Sequence, residues 1–381
     1  MYALTDGTLY TGDQVLTGQA VLIDDRRIVD VVPQAHLPSD CEQRSVQGAS
    51  VAPGFIDLQL NGCGGVMFND AITAETLATM HATNLRSGTT HFLPTLITAP
   101  DEQMRAAIAL AQAYQPDHPE ILGLHLEGPY LNPKRKGIHN GAYVRSLDDA
   151  MWAALLTAGG DTVKILTLAP EQVPVEAIHQ LADAGITVSA GHTDAQYEAA
   201  IAGFEAGITM ATHLFNAMSP WQSRSPGMVG AIFQYPQVRA GIIADGHHVH
   251  FTSIALAKQI MGDRLFLVTD ATPPAGAGVD SFMIGEQRVF YRDGKCVSAE
   301  GTLGGSALTM VEAIANCVHQ ADIPLAEALR MATLYPAEAI GVDHELGHIA
   351  PGYPASLVIL GADLSVQSVI DQGRLHSFNK F

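Results

Sequence analysis

Two nearly identical phrases constrain this chain more than any other feature. Ala184-Gly185-Ile186-Thr187 leads to His192, and Ala206-Gly207-Ile208-Thr209 leads to His213. Each reads as a helix-ending glycine, a short apolar strand, and a histidine just past the strand. Between them, residues 194–205 carry Ala195, Ala199 and Ala202 at helical spacing. The unit is therefore strand, helix, strand. Consecutive parallel strands bring two imidazoles to the same edge of a sheet, an arrangement that suits a metal better than a core.

The same alternation runs through the middle of the chain. Strands are predicted over 54–59, 89–96, 121–126, 163–168, 186–190, 208–212, 240–244 and 265–269, with amphipathic helices such as 101–114, 175–184 and 254–261 between them. Eight such units fit a (β/α)8 TIM barrel, whose working face is the C-terminal end of the strands. An open doubly wound sheet is the competing architecture. It would show a glycine-rich turn opening a helix after strand one, whereas Asn61-Gly62-Cys63-Gly64-Gly65 leads into Val66-Met67-Phe68. After strand eight comes a Pro- and Gly-rich insertion over 271–305, with a hairpin at 288–291 and 295–298 around Asp293-Gly294. One helix then carries Leu308, Val311, Ile314 and Val318, and another runs from 325 to about 340.

Both ends read as β. A hairpin is predicted from Val21-Leu22-Ile23 and Ile28-Val29-Asp30-Val31-Val32, and 357–360 and 366–370 are strand-like near the C-terminus. Neither end has enough strands for a stable sheet, so the two are expected to pair. The expected division is a small β-sandwich domain from 1–53 plus 343–381, and a barrel from 54–342.

Composition narrows the function classes. A net charge of −19 argues against nucleic acid or an anionic membrane as partner, though not against a small anion in a local basic pocket. The four cysteines share no metal-type spacing and read as reduced thiols of a cytoplasmic protein. No basic start followed by an apolar run suggests a signal peptide, and no stretch approaches the ~18 apolar residues of a membrane span.

The strand tips give a short chemical list. Strand one ends in Asp57, Gln59 and Asn61, strand three in Glu127, strand five in His192, strand six in His213, and strand eight in Asp270; strand seven runs into Asp245 and His248. Glu127, His192 and His213 offer a divalent metal one carboxylate and two imidazoles, with a position left for water. A bound metal lowers the pKa of that water to about 7. Asp270, with no metal role, is the general base and later acid. Among the remaining histidines, only one or two of His247, His248 and His250 can face the site. His125 reads as a core histidine, and His81, His118, His179, His319, His344 and His376 as surface residues. His139, in the polar loop Lys134-Arg135-Lys136-Gly137-Ile138-His139-Asn140, reads equally as a carbonyl-polarising group or as a solvated loop histidine.

Pro53-Gly54-Phe55-Ile56-Asp57, the metal-binding barrel, the aspartate after strand eight and the split β ends together resemble the amidohydrolase superfamily. Within it the chain is similar to the N-acetylglucosamine-6-phosphate deacetylase family, over essentially its whole length. Leu124-His125-Leu126-Glu127-Gly128-Pro129, Ser189-Ala190-Gly191-His192, Thr212-His213-Leu214-Phe215-Asn216-Ala217-Met218 and Leu267-Val268-Thr269-Asp270-Ala271 carry that likeness. It implies a metal on Glu127, His192 and His213, with Asp270 activating water and protonating the departing amine, and His139 polarising the acetyl carbonyl. Gln59, Asn61, Asn216, Ala217 (through its N–H), Arg224, His248 and Leu303 are the implied substrate residues. Arg224 and His248 are expected near the interface of a homodimer, acting within or across subunits.

One departure from the superfamily matters. Two-metal members carry His-x-His after strand one, whereas this chain has Gln59-Leu60-Asn61, and neither amide is a strong transition-metal ligand. No lysine stands at the tip of strand four, since Lys164 lies near its start. One metal per subunit is therefore expected, zinc first, with iron, cobalt or manganese as alternatives. The competing readings are a cyclic amidase or N-acyl amino acid deacylase, and a silent barrel used for binding.

Overall fold

The computed structural model describes residues 1–285 and 287–378. Eight parallel strands follow one another around the sheet in chain order: Phe55–Leu60, Thr89–Ile97, Leu124–Glu127, Val163–Leu168, Thr187–Ala190, Ile208–Ala211, Arg239–Ile242 and Leu265–Leu267. Helices such as Asp101–Tyr114, Val175–Asp183 and Phe251–Met261 cover the outside. With both faces covered, the strands need no polar side, and every residue of the first two strands is buried. This is a (β/α)8 barrel.

The barrel closes through few contacts. Strands one and eight meet at a single bridge, Leu60 to Ala271, supported by Asp270 N–H donating to Gln59 O at 2.9 Å and Asn61 N–H to Ala271 O at 3.0 Å. The seam thus lies at the C-terminal rim, between the two strand ends expected to carry chemistry.

The repeated phrase behaves as its sequence predicts. Helices Val175–Asp183 and Tyr197–Glu205 are followed by Gly185 and Gly207 at φ of +78° and +116°, and the strands to His192 and His213 begin just after. The second helix starts at Tyr197 rather than 194, and in the turn ahead of it Asp194 N–H and Ala195 N–H donate to Glu171 Oε1 and Thr193 Oγ1.

Outside the barrel, strands from both chain ends share one six-stranded sheet. Ser50–Pro53 pairs antiparallel with Leu357–Leu360, and Val366–Asp371 and Arg374–Ser377 follow. A four-stranded sheet of Arg27–Pro33, Gln19–Asp24, Tyr2–Thr5 and Glu42–Ser45 faces it across a core that includes Leu4, Val21, Val51, Leu357 and Ile370. We propose the boundaries 1–53 plus 343–381 against 54–342 for the two units, a division this strand pairing supports. Residues 379–381 of that span lie outside the described residues.

Three expectations change. The insertion is a three-stranded sheet, because Ser281–Ile284 joins the hairpin and turns Phe282 and Ile284 into a small core with Ile138 and Val289. Two alternating positions are too short a pattern to read as a strand. The helix expected over 325–340 is two helices, Leu325–Ala332 and Leu334–Ala339, broken at Thr333, whose hydroxyl donates to Leu329 O at 2.8 Å. His81 is no surface residue: its Nε2 lies 3.1 Å from Asp371 Oδ2, tying helix Ala74–Leu85 to the small sheet. Among the described residues no helix is long and apolar enough to cross a membrane.

Phe55, at the start of strand one, is fully buried. Truncating it in Phe55→Ala is expected to cost about 3–5 kcal/mol through lost contacts and the cavity left behind. Equilibrium urea unfolding measures this, and a loss below about 1 kcal/mol contradicts the core placement.

Candidate active site

Three strand tips converge on one point. Glu127 Oε1 lies 2.9 Å from His192 Nε2 and 3.1 Å from His213 Nε2, and the two imidazole nitrogens are 3.0 Å apart. All three side chains are buried. His192 Nδ1 sits 2.9 Å from the carbonyl of Arg135, which can only accept, so the proton is on Nδ1 and Nε2 presents a lone pair. That lone pair faces a carboxylate oxygen and a second imidazole nitrogen. A cation among the three atoms would satisfy the carboxylate and both imidazoles together. A triangle of this size allows each ligand the ~2.0–2.2 Å distance of a divalent metal. The donor set fits a divalent cation.

His139 stands next to this cluster. Its Nε2 is 4.0 Å from Glu127 Oε1, and its ring centre is 4.4 Å from that of His192. Donor atoms of Glu127, His139 and His192 also fall within 4.8 Å of one another. The set with His213 is tighter by almost an ångström at the carboxylate, so it is the one we assign to a shared ion. Burial, with His192 alongside, pushes the pKa of His139 down to about 3, leaving a neutral ring.

Asp270 lies across the cavity. Asn61 Nδ2 donates to its Oδ1 at 2.6 Å and Gln59 Nε2 to the same oxygen at 3.1 Å. Burial, and then the charge of Glu127, raise its pKa to about 6. Gln59 also donates to Glu127 Oε2 at 3.3 Å, so it bridges the two carboxylates. Behind them, Asp57 accepts from Thr269 Oγ1 at 2.5 Å and Thr269 N–H at 3.2 Å, fixing the residue before Asp270. His192, His213 and Asp270 all take positive φ, of +48°, +35° and +51°. Non-glycine residues in this region carry backbone strain that the surrounding packing must hold.

A cavity of about 440 Å³ opens over these groups. Asn61, His139, Asn216, Ala217, His248 and Leu303 line it. Gln59 is not among its lining residues; its amide faces the two carboxylates. Arg224 is exposed and outside the lining of its own chain's cavity. His248 is the member of its cluster that reaches the cavity, with Nδ1 held by Asp245 Oδ2 at 2.6 Å. His125 is a core histidine, bonded to Leu58 O and Thr167 Oγ1. Sequence reasoning passed over Lys134 and Arg135, which line the cavity and were legible as a basic run, and Ile284, which depends on the unforeseen insertion strand.

A barrel with one carboxylate, two imidazoles and a free aspartate at its strand tips has the layout of a metal-dependent hydrolase. Residues 50–376 match the amidohydrolase family and residues 1–51 the NagA composite domain, so the chain belongs to the amidohydrolase family. It is 43% identical to N-acetylglucosamine-6-phosphate deacetylase of Haemophilus influenzae, with 98% of each chain covered. It is also 40% identical to N-acetylgalactosamine-6-phosphate deacetylase of a Shewanella species, over 87% of this chain and 84% of that one. The crystal structure of N-acetylglucosamine-6-phosphate deacetylase from Pasteurella multocida superposes with a TM-score of 0.97 at 44% identity, covering 99% of this chain and all of that one. Within the amidohydrolases the chain therefore falls among the N-acetylglucosamine-6-phosphate deacetylases.

The two triads make different predictions for metal binding. His213→Ala is expected to weaken divalent-cation affinity by more than the ~10–100-fold typical of losing an outer-shell partner, and His139→Ala by less than about tenfold. Competition with a chelator measures both, and the reverse order contradicts the assignment.

Proposed function

We propose that this chain hydrolyses the acetamide of N-acetylglucosamine 6-phosphate, releasing glucosamine 6-phosphate and acetate. The observation that carries the reading is Asp270, a carboxylate with one oxygen left for proton transfer, set across a sugar-sized cavity from the Glu127–His192–His213 cluster. The names of the similar relatives supply the substrate class. A divalent cation on that cluster, zinc by first choice and iron, cobalt or manganese with the same ligands, supplies an acidified water and a Lewis acid for the carbonyl oxygen.

The chain's own residues do the rest. Asn61 and Gln59 both occupy Asp270 Oδ1, which leaves Oδ2 to take a proton from the attacking water. Asp270 then hands that proton to the departing nitrogen. His139, neutral and facing the cavity, donates to the acetyl oxygen as it gains charge. Asn216, the Ala217 N–H, His248 and Leu303 hold the sugar phosphate, and Gln59 acts on the carboxylates rather than on the sugar. Arg224 offers a planar fork suited to phosphate oxygens. Its exposure, beside Trp221 at 59%, supports a homodimer in which Arg224 serves the neighbouring subunit's ligand. We place the enzyme in the cytoplasm, a reading supported by four buried free cysteines.

The test is acetate release by metal-loaded protein on the glucosamine and galactosamine epimers, with and without the 6-phosphate. No release from any of them sinks the proposal. Protonating Asp270 removes the base, so kcat/KM is expected to fall as pH drops through its pKa. A bound cation opposes that rise, so the midpoint lies at or below about 6. Asp270→Asn is expected to remove this limb and lower kcat at least ~10²-fold; near-normal turnover by the loaded variant refutes the role. Arg224→Ala should raise KM for the phosphorylated substrate, and an equal loss on unphosphorylated N-acetylglucosamine contradicts a phosphate contact.

A further inference from the structure

One side chain joins the loops that leave strands three, four and five. Glu171 stands in the short turn Pro170–Gln172 after strand four. Its Oε1 accepts from Asn132 Nδ2 at 2.8 Å and from Asp194 N–H at 2.7 Å, and its Oε2 accepts from the hydroxyl of Thr193. Three donors converging on one group call for acceptors on both of its oxygens and no proton of its own, which is what an ionised carboxylate offers.

These contacts close a ring around His192. Asn132 N–H donates to the His192 carbonyl at 2.9 Å, and Asn132 Oδ1 accepts from Lys134 N–H at 2.9 Å, which sets the turn Pro133–Arg135. That turn delivers the carbonyl of Arg135 to His192 Nδ1. On the other side Thr193 and Asp194 follow His192 directly, where its backbone takes φ of +48°. Asn132 and Thr193 are both buried. The second tie between these loops is Arg135 to Asp194 at 2.8 Å, with side chains 35% and 31% exposed. Ion pairs this open to water contribute little, so most of the restraint falls on Glu171.

We propose that Glu171 is a positioning residue for the metal site. By joining Asn132 to Thr193 and Asp194 it fixes where the Arg135 carbonyl meets His192, and so where His192 Nε2 points. Glu171 does not line the cavity, so it acts through His192 and not on the substrate. A ligand left free to turn has to be ordered when the cation binds, and that cost is read as lost affinity. The inference rests on the Glu127–His192–His213 assignment and is independent of which amide is hydrolysed.

The test is a chelator titration of the zinc-loaded full-length chain, without substrate and well below the Tm of each variant. Glu171→Ala is expected to weaken zinc binding about 10–100-fold, the range for losing a partner that orients a ligand. A Glu171 that only stabilises the fold would lower Tm and leave the affinity of the folded protein unchanged, and that result overturns the proposal. Two further variants separate reach from charge, and they decide the matter even where the alanine variant does not fold. Glu171→Gln keeps an acceptor oxygen at full reach and should hold zinc within about threefold of the unsubstituted chain, whereas Glu171→Asp keeps the charge, falls one methylene short and should lose about tenfold. Tighter binding by the Asp variant than by the Gln variant would make charge the cause in place of position, and overturns the proposal. Zinc held normally by a chain that releases no acetate would instead sink the deacetylase reading and leave this one standing.

Discussion

Two imidazole nitrogens and a carboxylate oxygen held about 3 Å apart, out of water, are the constraint on which the rest of the site depends. Buried lone pairs without donors are costly, so the fold has to impose this crowding and a cation has to relieve it. The imposition is visible around His192. Its Nδ1 is held by Arg135 O, and its carbonyl accepts from Asn132 N–H at 2.9 Å. Glu171, past the end of strand four, accepts from Asn132 Nδ2 at 2.8 Å, from Asp194 N–H at 2.7 Å and from Thr193 Oγ1. Strand four brings no reacting group to the cavity. It brings a clamp that joins the loop of His139 to the turn of His192.

Asp270 depends on a different feature, the seam of the barrel. Strands one and eight share so few bonds that their tips are free to leave the ladder. The amides Gln59 and Asn61 on one side then meet the carboxylate on the other. Asp57 pins Thr269 from below, and Ser306 Oγ donates to Thr269 O at 2.6 Å, so the residue leading into the strained turn at Asp270 is held by two side chains. At the tip of strand one this chain places two amide donors, and both meet the same oxygen of Asp270.

Much of this was legible in the sequence because it is local and periodic. The glycine-strand-histidine phrase gives two strands, their parallel sense and two converging imidazoles at once, and the eight-fold alternation gives the barrel. Glu127 and Asp270 follow from asking what stands at each strand tip. What was not legible depends on contacts between residues far apart in the chain. Gln59 reads as a pocket residue until the structure turns its amide onto two carboxylates from strands three and eight. Glu171 carries no motif, since a carboxylate past a strand end is ordinary until its partners are known. Ser281–Ile284 is too short to announce itself as a strand, so Ile284 in the cavity wall was out of reach.

The central claim is one cation held by Glu127, His192 and His213. Anomalous diffraction at the absorption edge of the bound metal tests it most directly. The account predicts a single strong peak within about 2.0–2.2 Å of Glu127 Oε1 and both Nε2 atoms. A peak that engages His139 in place of His213, or a second peak of equal strength beside Gln59 and Asn61, contradicts it.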